Sequence, residues 1–504
     1  MKRISNFLIP AICLLSAACT NKPAEEQIKP NIIFILSDDL SYGDLGCYGQ
    51  KKIKTPNIDR LADEGVRFTN AYAGNSVCAP SRSSLMEGKH QGHARVRGNA
   101  HAGFRESLRP GDYTVAMLLK ENGYKTGLFG KWGLAVHDQP GLPNNMGFDE
   151  FCGYLNQQQA HTYYPEFLYH NRERVYYPEN KYHYLRDNYS RASSYDKDGR
   201  VIPNGLEGEA EKAKNSFDEY CKRSLDFVRT NKDNPFFLYL AYTIPHGPLI
   251  VPELGEYKDK DWGMQYKEWA AMITRMDTEV GRLLKLLDEL GLDDNTVIFF
   301  ASDNGLSSQG YEARYLNEKP GPTLSEFFNH APPVRGLKGG SNDGSFRVPA
   351  MVRWPGKVNP GRVSDHLWAF WDFLPTVADI IGVEPPVKTD GLSILPVLTG
   401  EGDVQEHEYL YWEYAQNQAV RMGKWFGHRV SGKEVELYDL EADPQQMNDL
   451  SAANRALADK IAEIMDESHT ASDVWPSPGE TNEQFRKRLK EANVPERPNN
   501  LSLY

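Results

Sequence analysis

Residues 31–39 read NIIFILSDD: an apolar run from Ile32 to Leu36 that closes on two adjacent carboxylates, Asp38 and Asp39. A strand with one face in water alternates apolar and polar residues. An uninterrupted run calls for a strand covered on both faces, as in a parallel sheet flanked by helices. Three more stretches share this form. GYKTGLFGKW runs into Lys131, NPFFLYLAYTIPHGP into His246, and NTVIFFASDNG into Asp303 and Asn304. Helical patterns lie between them. TPNIDRLADEGVRF offers Thr55 as N-cap, Pro56 at the first helical position, Ile58, Leu61 and Ala62 on one face, and Gly65 as the stop. SFDEYCKRSLDFVRTN and MQYKEWAAMITRMDTEVGRLLKLLDELG are also amphipathic. Strand alternating with helix predicts an α/β fold with a large, mostly parallel sheet. Ligands of such sheets gather beyond the carboxyl ends of the strands, where all four polar clusters fall.

From about residue 390 the texture changes. HEYLYWEYAQNQAVRMGKWFGHRVSGKEVELYDLEADP reads as short strands and turns, and ANRALADKIAEIMDES as a helix. We expect a catalytic unit over 30–388 and a smaller antiparallel sheet plus helix over 389–504. The Tyr-rich segment from Gly153 to Tyr195 lacks periodicity and reads as a surface excursion near the active face. The tail after Trp475 shows no pattern.

At the other end, MKRISNFLIPAICLLSAACT has a basic start, an apolar run from Phe7 to Leu15 and small residues before Cys19. This predicts an export signal over 1–18, followed by a polar, Pro-punctuated tether over 19–29. The small residues resemble a bacterial lipoprotein box with Cys19 as the lipidated N-terminus, although Ser16 sits where Leu is usual. Cleavage after Ala18 without lipidation gives nearly the same product. The expected location is therefore the periplasm, or the outer membrane through an N-terminal lipid. The formal charge of −12 and the lack of a basic stripe argue against nucleic acid. Cys47, Cys78, Cys152 and Cys221 are too few and scattered for a disulfide framework. For three of them a small buried hydrophobe is the ordinary role.

Cys78 differs. It stands in SVCAPSRSSLMEGKH, residues 76–90, as the N-cap of a predicted helix that starts at Ala79 or Pro80 and stops at Gly88. A helix N-terminus presents free N–H groups and a positive dipole end to an anion. Arg82, one turn on, adds a fixed charge. Asp38, Asp39, Asp303 and Asn304 offer oxygen atoms alone, a set suited to Ca²⁺ or Mg²⁺ rather than Zn²⁺.

CAPSR matches the C-x-P-S-R signature of the type I, formylglycine-dependent sulfatases of the alkaline phosphatase superfamily. The resemblance continues in family order through NIIFILSDD, GKWGL, IPHGP, ASDNG and LKGGSNDGSFRVPAMVRWPG, and ELYDLEADPQQMNDL resembles the family's second domain. It implies an alkaline-phosphatase-like fold with a mixed sheet. It also implies that a sulfatase-maturating enzyme oxidises Cys78 to formylglycine (3-oxoalanine), whose hydrate attacks the sulfur of a sulfate ester. Carried over, Asp38, Asp39, Asp303 and Asn304 would hold one Ca²⁺, with residue 78 also meeting it. Arg82 would steady the activated oxygen, Lys131 and Lys338 would neutralise sulfate oxygens, and His246 would serve the leaving oxygen. Many relatives read G-K-W-H, whereas Gly133 stands at the fourth place here. His161 is our preferred substitute base and His137 the alternative; both count among the expected substrate-binding residues.

The resulting expectation is a sulfuric ester hydrolase of a sulfated carbohydrate, by analogy a galactose or N-acetylgalactosamine sulfate with O4 as the site, and with synthetic aryl sulfates as side substrates. Two readings compete with it. One is a phosphate or phosphonate ester hydrolase of the same superfamily. The other is a non-catalytic glycan-binding lipoprotein, expected if Cys78 stays a thiol.

Overall fold

The computed structural model describes residues 29–99, 105–135, 137, 140–157, 159–161, 163–180, 194–195, 197, 201–202, 213–247, 249–307, 322–330 and 334–492, the side chains of His161, Ser194, Tyr195, Val201 and Ile202 excepted. Cys19, the export signal and most of the tether lie outside this set. Ten described strands form one sheet: β1 (Asn31–Ser37), β2 (Val66–Phe68), β3 (Lys125–Lys131), β4 (Glu150–Tyr154), β5 (Phe167–His170), β6 (Glu173–Tyr176), β7 (Phe236–Ala241), β8 (Thr296–Ser302), β9 (Ala350–Arg353) and β10 (Arg362–Ser364). Their spatial order is β10-β2-β9-β8-β1-β7-β3-β4-β5-β6. The centre, from β8 through β1, β7 and β3 to β4, is parallel. β9 joins β8 antiparallel, and so does β5 join β4, which makes the sheet mixed at its flanks.

The uninterrupted apolar run of β1 is explained by what covers it. Ile32, Phe34 and Leu36 pack with α2 (Cys78–Glu87), α3 (Val115–Glu121) and α6 (Phe373–Ile381). Ile33 and Ile35 point the other way, into α1 (Pro56–Asp63), α4 (Ser216–Asn231) and α5 (Met264–Glu289). All five are fully buried, each contributing roughly 1.5–3 kcal/mol. α1 begins as its sequence predicts, with Thr55 as N-cap and Pro56 in the first turn, but it closes at Glu64, one residue before the expected Gly65.

The second sheet has four antiparallel strands, β11 (Leu410–Tyr414), β12 (Asn417–Met422), β13 (Trp425–Arg429) and β14 (Glu436–Asp439). α7 (Arg455–Glu467) packs on it through Ile461 and Met465. Two segments differ from the sequence reading. Part of the Tyr-rich excursion is the β5–β6 hairpin, which extends the main sheet. Its loop, Asn171-Arg172, puts Asn171 at φ 54, the left-handed conformation that two-residue hairpin turns require. The patternless tail holds α8 (Asn482–Glu491), capped by Thr481 and anchored by Phe485 and Leu489. No described helix is long and apolar enough to cross a membrane.

Candidate active site

Parallel register sets the site. Ser37 pairs with Ser302, Leu36 with Ala241, and Ala241 with Gly130, so β1, β8, β7 and β3 end at one level. Just past those ends are Asp38-Asp39, Asp303-Asn304 and the loop to His246, beside Lys131, the last residue of β3. Beyond Asp38 the chain turns sharply: Asp39 holds φ 70, costly for a side chain with a Cβ. The turn is held by Leu40 N–H donating to Ser302 Oγ at 2.9 Å. Asn304 Nδ2 donates to Asp39 Oδ1 at 2.7 Å.

α2 approaches this level with its N-terminus. Its first helical residue is Cys78 itself, with Val77 as N-cap, one position earlier than the sequence suggested; Gly88 closes it at φ 66 as expected. Cys78 and Arg82 are buried. Arg82 donates through Nε and Nη2 to Asp303 Oδ2 at 3.1 and 2.8 Å, and through Nη1 to the Lys131 carbonyl at 2.5 Å. Lys131 Nζ lies 2.6 Å from Asp38 Oδ2, and Lys338 Nζ lies 2.6 Å from Asp39 Oδ1. The Lys338 loop is tied to the loop before Cys78 by Gly339 N–H donating to the Ser76 carbonyl at 2.8 Å. His246 turns Nδ1 to the Gly247 carbonyl at 2.6 Å, so neutral His246 leaves Nε2 unprotonated, 3.6 Å from Asp39 Oδ2.

Three buried carboxylates thus meet three cations, Arg82, Lys131 and Lys338. Burial alone would raise the Asp38 carboxyl, but Lys131, His246, Lys338 and Arg82 hold it far below the usual range. Asp303 moves the other way, to about 6, because burial and the charge of Asp38 outweigh Arg82. Burial lowers His246, with Lys338 adding to it. Lys131 and Lys338 are raised against their own desolvation, chiefly by Asp38 and Asp39 respectively. Despite this density of donors, Asp38 Oδ1, Asp39 Oδ2 and Asn304 Oδ1 are buried with no hydrogen-bond partner. An orphaned buried oxygen costs about 1–3 kcal/mol. Three hard oxygens left bare on neighbouring strand ends fit a divalent cation of the Ca²⁺ or Mg²⁺ type.

The structure therefore brings Cys78, Arg82, Lys131, Lys338, His246, Asp38, Asp39, Asp303 and Asn304 to one end of the sheet. His137 lies with its ring centroid 5.7 Å from that of Tyr169 in β5. His161 closes a short turn, Gln159–His161, and its side chain is outside the described atoms. Two residues of the site escaped the sequence reading. Asn99 Oδ1 accepts from the Cys78 thiol at 3.5 Å and from the Ala79 N–H at 3.1 Å. Tyr414, at the end of β11, is near enough to Cys78 and Lys338 that both act on its phenol, which burial raises above its ordinary range. Neither lies in a motif, and no periodicity links them to residue 78.

A helix N-terminus, two lysines and an arginine converging beyond a parallel sheet define a hydrolase for an ester of an oxyanion. The chain belongs to the sulfatase family, whose description "Sulfatase" matches residues 30–383, with residues 341–471 matching "N-sulphoglucosamine sulphohydrolase, C-terminal". It is a sulfuric ester hydrolase of the type I sulfatases, in the alkaline phosphatase superfamily. It is 31% identical over 432 residues to the N-acetylgalactosamine-6-sulfatase of Canis lupus familiaris, covering 83% of this chain and 74% of that protein. It is 28% identical over 525 residues to the N-acetylgalactosamine-6-O-sulfatase of Bacteroides thetaiotaomicron, covering 93% and 100%. Among solved structures, that titled "Crystal structure of Ps i-CgsB" superposes with a TM-score of 0.72 at 27% identity, covering 93% of this chain and 98% of the other.

Proposed function

We propose that this chain removes sulfate from a sulfated carbohydrate of galacto configuration, using residue 78 after its oxidation to formylglycine and a Ca²⁺ ion held by Asp38, Asp39, Asp303 and Asn304. The observation that carries the reading is the trio of orphaned oxygens on Asp38, Asp39 and Asn304, set among Arg82, Lys131, Lys338 and residue 78. Without a cation the three positive side chains only balance the three carboxylates; a divalent ion leaves the pocket positive, as an anionic ester requires. That ion supplies fixed positive charge for the ester oxygens. Formylglycine supplies, as its hydrate, a nucleophilic oxygen that water alone does not position.

The chain's own side chains do the rest. Arg82, bound to Asp303, keeps a full charge at the nucleophile. Lys131 and Lys338 meet the oxygens on which charge builds. His246 holds its ring by the Gly247 carbonyl, and in its imidazolium form Nε2 carries the proton that the leaving oxygen takes. Gly133, at φ 84, has no side chain to offer residue 78. His161 is our candidate for the missing base; His161→Ala should slow turnover and leave the mass at residue 78 unchanged. The sugar assignment draws on the names of the canine and Bacteroides relatives, both N-acetylgalactosamine sulfatases. Export and an N-terminal lipid on Cys19 complete the proposal: a surface or periplasmic enzyme acting on host or algal glycans after a maturating enzyme has acted on CAPSR.

The test uses protein whose residue 78 is shown by mass spectrometry to be oxidised. Sulfate release is measured from N-acetylgalactosamine carrying sulfate at O4 or O6, beside the matched phosphate esters. The expected result is release from at least one sulfate ester, well ahead of its phosphate counterpart. Oxidised protein that leaves every sulfated saccharide intact would overturn the reading. Faster phosphate release would move it to the phosphatase branch of the superfamily.

A further inference from the structure

The start of α2 lacks the cap its sequence should supply. Val77 occupies the N-cap position and has no side-chain oxygen, where Ser, Thr, Asp or Asn is strongly preferred. Pro80, in the first turn, carries no N–H, and Ser81 N–H is spent on the Val77 carbonyl at 3.3 Å. The cap comes from a distant loop. Asn99 Oδ1 accepts the Ala79 N–H at 3.1 Å, and the same oxygen accepts from the side chain of residue 78 at 3.5 Å. One oxygen thus joins the backbone of the helix to the reactive side chain at its first position. In the oxidised residue, an oxygen on Cβ stands where the Cys78 sulfur stands here.

Asn99 is clamped from three directions. Two residues before it, buried Arg97 donates to Glu413 Oε1 at 3.0 Å, to the Gly92 carbonyl at 2.8 Å, and to both oxygens of Thr470. Glu413 is held in turn by His469 Nδ1 at 2.7 Å and by the Tyr411 hydroxyl at 2.6 Å. Gly98 lies so close under Trp475 that a Cβ there would fall 1.7 Å from the ring. On the other side Gln157 Nε2 donates to the Asn99 carbonyl at 2.7 Å, and Arg105 donates to Gln157 Oε1 at 3.4 Å. Buried charge pairs and a full ring of tryptophan are a large investment in one loop residue. Among the described residues, its side chain hydrogen-bonds to residues 78 and 79.

We propose that Asn99 is a positioning residue for the nucleophile: its side-chain carbonyl fixes the rotamer of residue 78 by bridging it to the Ala79 N–H. It accepts a hydrogen bond from a hydroxyl on Cβ of residue 78 and takes no proton, so it complements the base sought in His161. The proposal rests on the sulfatase reading above. Through Arg97 and Glu413 it also makes the second sheet part of the catalytic geometry, because the clamp on Asn99 is anchored in β11.

The experiment compares oxidised wild type, Asn99→Leu, which keeps the volume and removes the acceptor, and Asn99→Asp, which keeps the acceptor. Oxidation of residue 78 is matched by mass spectrometry, and amide exchange is followed in a peptide spanning Ala79. Asn99→Leu should lose about tenfold to a hundredfold in kcat, with KM changed by less than about threefold, and should exchange faster at Ala79. Asn99→Asp should recover most of kcat and of the protection. Asn99→Ala carries the same expectations as the leucine variant and replaces it should that chain not fold. An unchanged kcat, or full protection at Ala79, in the variant without an acceptor overturns the proposal. If oxidised wild type released no sulfate, the functional reading would fall, and exchange at Ala79 alone would decide the proposal.

Discussion

Cys78 and the carboxylates facing it are separate levers on the same chemistry. Cys78→Ala removes the only residue of the cluster able to become an aldehyde. Sulfate release should fall by at least about a thousandfold, while the unfolding midpoint should move little, because the Cys78 side chain is small and packs beside Asn99 rather than in the apolar clusters. The bare oxygens of Asp38, Asp39 and Asn304 make a different prediction, independent of turnover. Treating purified protein with a chelator should lower the thermal midpoint by on the order of 5 °C, and adding Ca²⁺ should restore it. Asp38→Asn should abolish that response, since it removes one of the carboxylates that would bind the ion. A midpoint indifferent to chelator and Ca²⁺ would refute the cation assignment while leaving the fold untouched.

At the scale of elements, α2 carries Cys78 at one end and a buried acid at the other. Glu87 accepts from the Ser83 hydroxyl and the Arg95 N–H, yet burial raises its pKa to about 7, with Asp112 adding to it. A raised carboxyl means that folding favours the protonated form. Its contribution is complete below the unfolded value near 4.5 and is lost as pH climbs through about 7, an effect of roughly 3 kcal/mol at most. Stability of the wild type should therefore decline between pH 5 and 7.5 more steeply than that of Glu87→Gln, which cannot ionise. Denaturant titrations of both proteins across that range provide the check; parallel slopes would show that Glu87 titrates as in the unfolded chain. The helix itself was legible because Gly88 marks its end and CAPSR its start. Its cap was not. Val77 gives no capping signal, and the oxygen that replaces it comes from Asn99, twenty residues from Ala79 in sequence. The β5–β6 hairpin was hidden for a related reason: Phe167, Tyr169, Arg174 and Tyr176 share one face and Leu168, His170, Glu173 and Val175 the other, so each face mixes apolar with polar side chains, the pattern of two is blurred, and Asn171 alone announces the turn. The four central strands were the clearest elements, since only double-sided burial tolerates runs such as NIIFIL and TVIFF.

The whole molecule depends on the seam between the two sheets. Trp412 of β11 is fully buried there and donates Nε1–H to the Ala73 carbonyl at 2.9 Å, five residues before Cys78. Its ring stacks on Phe346 at 4.8 Å and meets Tyr72 at 5.2 Å and Trp371 at 5.7 Å, all three from outside the second sheet. Tyr72 donates to Asp343 Oδ1 at 2.6 Å, and the Asp343 N–H donates to Gln446 Oε1 at 3.0 Å, so the hydrogen bonds cross the same seam again. Asn75 Nδ2 adds another crossing, to the Glu413 carbonyl at 2.9 Å. Two units joined by a shared apolar cluster and by bonds into the loop before Cys78 have little reason to melt apart. Urea unfolding followed by tryptophan fluorescence and by sulfate release should accordingly give one coincident transition. Trp412→Ala should lower its stability by about 3–5 kcal/mol, the usual cost of truncating a buried tryptophan, and should reduce kcat at temperatures where the chain is still folded, because Ala73 and Glu413 would lose their shared support. Two separated transitions in the wild type would mean that the second sheet is an independent domain, and would confine the origin of the catalytic geometry to the main sheet and α2.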